Sequence, residues 1–260
     1  MDYQNITINI IDQILHVTIN REKKLNALNT QTLTELADVF IFANTETEVK
    51  GILLTGAGEK AFVAGADISE FSSFTIDEGE ALSRKGHHEV FDAIESCPKP
   101  VIAAINGFAL GGGLELAMAC HMRVAADHAK LGLPEVSLGL IPGYGGTQRL
   151  TQLIGKGRAI EMIATAEMIT ASRAAEIGLV NYCVPAAELI EKCNELFNSI
   201  KKRAPLAVAS AIKATNAALK SDRDGFEIEI REFANCFDTE DFKEGVSAFL
   251  EKRTPVFSGK

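Results

Sequence analysis

The chain has no excess of basic residues, no paired cysteines and no long apolar run, and each absence removes a class of protein. Its 26 Lys and Arg stand against 35 Asp and Glu, a formal net charge of −9. Neutralising nucleic-acid phosphates needs clustered cations, so non-specific binding to DNA or RNA is disfavoured. The cysteines, Cys97, Cys120, Cys183, Cys193 and Cys236, are odd in number and include no Cys-x-x-Cys. They read as reduced structural thiols of a cytoplasmic-type compartment. No apolar stretch approaches the roughly 18 residues of a membrane span. Met1-Asp2-Tyr3-Gln4 lacks the basic and apolar regions of a signal peptide. A soluble cytoplasmic protein is expected. Among His16, His87, His88, His121 and His128, none stands at the spacing of a zinc-binding helix or beside an obvious nucleophile. His16 and His121 read as structural, and no metal is expected. The glycine-lysine phosphate loop and the Gly-x-Ser-x-Gly elbow are also missing.

What is present is an α/β pattern. At 260 residues, 47% of them hydrophobic, the chain can bury a substantial core. Two β-branched runs, 6–11 and 14–19, flank Asp12-Gln13 and predict a hairpin. Thr30 is a candidate cap for a helix whose apolar positions Leu33, Leu36, Ala37 and Phe40 recur at helical spacing. A buried strand is expected at 51–55, a loop or short helix at 69–80, a helix at 81–94, and strands at 101–105 and 122–125. Helices are expected at about 112–119 and 158–165, with another starting at Thr147. From Pro185 the pattern is almost wholly helical, at about 186–203, 205–220, 224–236 and 239–251. No linker, repeat or heptad run divides the chain. The expected division is a core of residues 1–200 carrying the active site and a helical C-terminal region of residues 201–260.

One motif is a decoy. Gly56-Ala57-Gly58-Glu59-Lys60-Ala61 follows a strand and fits a dinucleotide fingerprint. That fingerprint needs a helix opening on the glycines and a later acid after a second strand, and neither is evident. The stronger candidate lies between Pro100 and Leu150. Gly111-Gly112-Gly113 follows an apolar strand and opens the helix expected from about Gly112. Such a turn could simply pack strand against helix, or could aim unobstructed N–H groups at a ligand. Glu115 and Glu135 each stand in apolar company beside glycine-rich backbone. Either could be ordinary, a helix-dipole partner or a loop acid. Together, desolvated carboxyls near glycine turns suit proton exchange near neutrality.

These residues resemble the crotonase, or enoyl-CoA hydratase, superfamily. The resemblance is carried by Ala64-Gly65-Ala66-Asp67-Ile68, by Asn106 through Ala117, by Pro134-Glu135, by Ile141 through Leu150, and by the ending from Phe237 to Arg253. It implies a spiral of ββα units with a helical C-terminal trimerisation region, assembled as trimers or dimers of trimers. It implies that the N–H groups of Ala64 and Gly112 form an oxyanion hole for an acyl-CoA thioester carbonyl. Loss of one such donor typically costs about 10²–10³ in rate. Glu115 would orient and deprotonate water and Glu135 would protonate the α-carbon, hydrating a short-chain 2-enoyl-CoA to the 3-hydroxyacyl-CoA. Gly143 would offer a further N–H to that water. Ala66, Asp67 and Ile68 would line the substrate site, with Lys24 near Ala27, and Lys252 from a neighbouring subunit, receiving the CoA phosphates. No separate cofactor is implied, since coenzyme A belongs to the substrate, and no second enzyme domain is expected after Arg253.

The same resemblance allows other chemistry. Members with one acid, or with Asp in place of Glu, act as double-bond isomerases, specialised dehydratases, ring-forming enzymes or hydrolases; two glutamates favour hydration. Some relatives bind RNA on this fold, and here the acidic balance opposes that.

Overall fold

A computed structural model describes residues 3–260 apart from Lys220, Ser221 and Arg223. Strands β1 (Ile6–Ile11) and β2 (Ile14–Ile19) form the expected antiparallel hairpin. Its two connecting residues, Asp12 and Gln13, both adopt positive φ (50° and 66°), which matches the twist of a two-residue turn. Helix α1 (Thr30–Thr45) is capped one residue earlier than expected. Asn29, not Thr30, accepts from the Thr32 N–H (3.0 Å), while Thr30 gives its N–H and hydroxyl to Glu70.

Pairs of strands and following helices then wind into a spiral. Strands β3 (Gly51–Gly56) and β4 (Ala61–Val63) lead to helix α2 (Ile76–Gly86), a π-helical turn at His87–Phe91 and α3 (Asp92–Glu95). The polar 69–80 stretch therefore contains the start of a helix, where Thr75 and Glu78 make a capping box. Strand β4, not a helix, follows the Gly56–Gly58 turn, so the dinucleotide fingerprint has no helix to aim at a ligand. Strands β5 (Val101–Ile105) and β6 (Phe108–Leu110) lead to α4 (Gly112–Ala119). Strands β7 (Met122–Ala126) and β8 (Lys130–Gly132) lead to α5 (Gly146–Ile154) and α6 (Lys156–Thr165). The spiral closes with β9 (Ile169–Thr170), α7 (Ala171–Glu176), β10 (Tyr182–Val184) and α8 (Leu189–Ile200).

Each turn of the spiral gives one strand to each of two sheets, ordered β1-β2-β3-β5-β7-β10 and β4-β6-β8-β9. From β2 onward the larger sheet is parallel, with Ile52 opposite Val101 and Ala103 opposite Arg123. Both faces of such a sheet must be covered. Alternate residues such as Ile52, Leu54, Ala103 and Ile105 enter the main core, while Leu53, Ile102, Ala104 and Val124 pack under Cys193 and Phe197 of α8. Helices α9 (Pro205–Ala217), α10 (Gly225–Cys236) and α11 (Glu240–Glu251) complete the chain. They begin and end close to the expected bounds; the end of the expected 205–220 helix falls on Lys220, outside the described residues. His121 is structural, accepting from the Val101 N–H at 3.0 Å and bonded through its other ring nitrogen to the Glu95 carbonyl.

Candidate active site

Helix α4 is buried on every side, so the whole of it, Glu115 included, lies inside the protein. A charge there is tolerated only with partners. Glu115 Oε1 receives the N–H of Tyr144 at 2.8 Å and that of Gly146 at 2.7 Å. Among the described residues no hydrogen bond reaches Oε2. Burial pushes the carboxyl up to about 7, and the nearby Glu135 adds to the rise. The two N–H groups and Arg149 oppose it. Gly146 must be small, since an added Cβ would lie 2.8 Å from Glu115 Oε1.

Glu135 opens a 3-10 turn, Glu135–Leu138, immediately after β8. Its Oε2 is buried with no hydrogen-bond partner among the described residues, and burial raises its pKa. Gly111, between β6 and α4, lies against the carboxyl of Glu135 and the backbone of Glu115. Its φ of 50° and ψ of −125° suit only glycine. A Cβ there would sit 2.9 Å from Glu135 Oε1, and its carbonyl accepts the Glu115 N–H at 3.0 Å.

The backbone beside this pair corrects one expectation. The Ala64 N–H donates to the Leu25 carbonyl at 3.0 Å and is not free for a ligand. Two residues on, Ala66 pairs with Leu28 in a parallel bridge. That bridge is made by Gly65 and Asp67 (Leu28 N–H to Gly65 O, 2.8 Å; Asp67 N–H to Leu28 O, 2.7 Å). The Ala66 N–H therefore points the other way and has no acceptor among the described residues. Gly112, first residue of α4, likewise has an N–H unbonded among the described residues. A Cβ on Gly112 would lie 3.6 Å from Ala66 N, so the two backbones face each other across a space that glycine keeps open.

The remaining expected site residues divide. Gly143 has a free N–H among the described residues, and its carbonyl accepts from Ser83 Oγ at 2.6 Å. The Asp67 carboxylate is held by Arg21 (2.9 Å) and Ser69 (2.6 Å), which keep its pKa below the usual range; its side chain pins the loop. Ile68 is half exposed on the next turn. Ala27 gives its N–H to Lys24 and accepts from Arg21 Nη1, and Lys24 lies exposed on the turn Glu22–Lys24. Lys252 caps α11 in the left-handed conformation, on an element remote in sequence from both acids. Sequence reasoning did not single out Arg149. It is buried, bonded to Glu95 (2.5 and 2.8 Å) and to the Tyr144 carbonyl (2.9 Å), and holds the loop that serves Glu115. Its one sequence signal is an arginine three residues after a double glycine, just before Leu150.

A sequence profile described as Enoyl-CoA hydratase/isomerase matches residues 9–260. The chain belongs to the enoyl-CoA hydratase/isomerase family. It is 46% identical over 254 residues to the short-chain-enoyl-CoA hydratase of Clostridium acetobutylicum, covering 97% of each chain. It is 44% identical to the crotonyl-CoA hydratase of Syntrophomonas wolfei over the full length of both. The crystal structure of the enoyl-CoA hydratase from Bacillus anthracis superposes with a TM-score of 0.91, at 41% identity over 99% of this chain and all of the other. As a member of that family the protein is an enzyme with the crotonase fold. Among the described residues no helix is long and apolar enough to cross a membrane, and no group of three or more His, Cys, Asp or Glu could hold a metal ion.

Proposed function

We propose that the protein hydrates short-chain trans-2-enoyl-CoA thioesters reversibly to 3-hydroxyacyl-CoA, using Glu115 and Glu135. The observation that carries this reading is a pair of buried carboxyls, both with raised pKa and close enough for Glu135 to add to the rise at Glu115, beside two N–H groups unbonded among the described residues. Hydration needs all four. The N–H groups of Ala66 and Gly112 would receive the thioester oxygen as charge develops on it; the bonded N–H of Ala64 leaves Ala66 as the first donor. Glu115, fixed through Oε1, would hold water on Oε2 and take its proton as the oxygen attacks C3. Gly143 N–H would orient the same water. Glu135, whose Oε2 lacks a protein donor, would deliver a proton to C2. The pair thus holds one proton between its members, and its pH dependence belongs to both.

No cofactor is required, because the thioester itself supplies the electron sink. The names of the two curated relatives agree with a short chain. We place the enzyme in the cytoplasm, the helical region 201–260 at the contact between subunits, and Lys24 and Lys252 at the CoA phosphates. The decisive experiment follows the loss of conjugated enoyl-thioester absorbance of crotonyl-CoA. Wild type should consume it, while Glu115→Gln and Glu135→Gln should each fall by at least about 10²-fold, as expected of general acid–base groups. Absence of hydration by the wild type, or full turnover by either variant, would overturn the assignment.

A further inference from the structure

We propose that Ser83 is a positioning residue for Glu115, acting through the peptide that joins Gly143 to Tyr144. The inference rests on the reading of Glu115 as the group that accepts the proton of water. Ser83 Oγ donates to the Gly143 carbonyl at 2.6 Å. The N–H at the other end of that same peptide unit donates to Glu115 Oε1 at 2.8 Å. A peptide whose carbonyl accepts a hydrogen bond is polarised, and its N–H becomes a stronger donor. Hydroxyl, peptide and carboxylate therefore form a line of dipoles aimed at Oε1, favouring the ionised form of Glu115.

The helix carrying Ser83 is built around this loop. One turn further on, His87 lies beside the Gly143 backbone. A Cβ at Gly86 would overlap the Tyr144 ring, and Phe91 stacks on that ring with centroids 4.8 Å apart and planes 15° apart. The π-helical turn His87–Phe91 shifts the helix face by an extra residue at this place. Arg149 fixes the next peptide by its bond to the Tyr144 carbonyl. The Gly145 carbonyl accepts from the N–H groups of Gln148 and Arg149. With these carbonyls held, the Tyr144 and Gly146 N–H groups converge on one oxygen.

The charged and titratable groups facing Glu115 are Glu135, Arg149 and the Tyr144 phenol. Those around His87 are Arg149, Asp92 and His88, and burial lowers the His87 pKa, keeping it neutral near pH 7. Ser83 does not titrate, so removing it changes the donor without changing the charge.

The test compares wild type with Ser83→Ala. The acid limb of kcat/KM for crotonyl-CoA should move to higher pH by about half a unit, roughly a threefold loss on that limb with a smaller change on the plateau. A ¹³C-NMR titration of the Glu115 carboxyl in the substrate-free enzyme should show the same upward shift, and Ser83→Thr should restore both. An unmoved Glu115 titration with an equal rate loss at every pH would overturn the inference. Should Ser83→Ala not fold, Ser83→Cys puts a weaker donor in nearly the same volume and must shift the titration in the same direction. Full turnover by Glu115→Gln would instead remove the catalytic reading, while the NMR titration would still decide the relay.

Discussion

At the scale of the residue, the burial of Glu115 gives the fold a pH-dependent weakness. Unfolded, this carboxyl titrates near 4.5; folded, burial pushes it up to about 7. Between those values the native state binds the extra proton, so folding stability is full below the lower value and is lost as pH rises through the upper one. At about 1.4 kcal/mol per pKa unit, full ionisation costs on the order of 3 kcal/mol. Glu115→Gln keeps an acceptor oxygen for the Tyr144 and Gly146 N–H groups but never ionises. Urea denaturation should therefore find it equal to wild type near pH 5 and more stable by up to about 3 kcal/mol at pH 8, though catalytically impaired. Glu135→Gln removes the neighbouring negative charge, so the Glu115 titration should move down and the stability loss with pH should shrink. Both acids were legible because carboxyls are uncommon in apolar, glycine-flanked runs. The free amide was not. Whether Ala64 or Ala66 has an unbonded N–H is decided by how residues 25–28 lie against 64–67, a pairing that no periodicity records.

At the scale of the element, glycines in helices separate into two kinds. In α4, a Cβ on Gly113 would overlap the Val63 carbonyl, so this glycine lets the helix approach β4 and sets the position of Glu115. In α2, Gly79 is exposed and a Cβ there would meet nothing within 4 Å. Gly113→Ala should lose about 1–3 kcal/mol through overpacking. Gly79→Ala should gain roughly 0.5–1 kcal/mol from helix propensity. Chemical denaturation of the two variants checks both signs, and equal effects would show that contact with β4 is not what selects glycine at 113. Sequence reasoning found the long elements, whose apolar spacing is strong, including the hairpin and the C-terminal helices. It left the start of α2 open as a loop or short helix at 69–80, although Thr75 and Glu78 carry the capping-box spacing, because the stretch is polar and α2 is mostly exposed. Strands β6, β8, β9 and β10 are two or three residues long, too short for alternation to register. Their place comes from the spiral, which brings each to a neighbour from another turn.

At the scale of the whole molecule, α10 and α11 expose apolar side chains that one chain cannot cover. Phe226 is 81% and Phe249 82% exposed, with Phe233 and Leu250 also largely bare. Large apolar side chains left bare on two successive helices mark an interaction face. Because the resemblance implies assembly through this region, a second copy of the chain is the occupant we favour. A covered face would also support catalysis within each subunit. Asn216 of α9 donates to the Glu95 carbonyl at 2.6 Å, and Glu95 anchors Arg149, which holds the Tyr144 carbonyl beside Glu115. Phe226→Lys with Phe249→Lys places two charges where desolvation would be needed, while neither residue touches that chain of bonds. Sedimentation should find wild type as an oligomer and the double variant as a smaller species, with hydration of crotonyl-CoA falling in step with dissociation. A variant that sediments as wild type would show that the partner surface lies elsewhere. One that dissociates with full activity would show that Asn216 and Glu95 hold the loop without help from a neighbouring subunit.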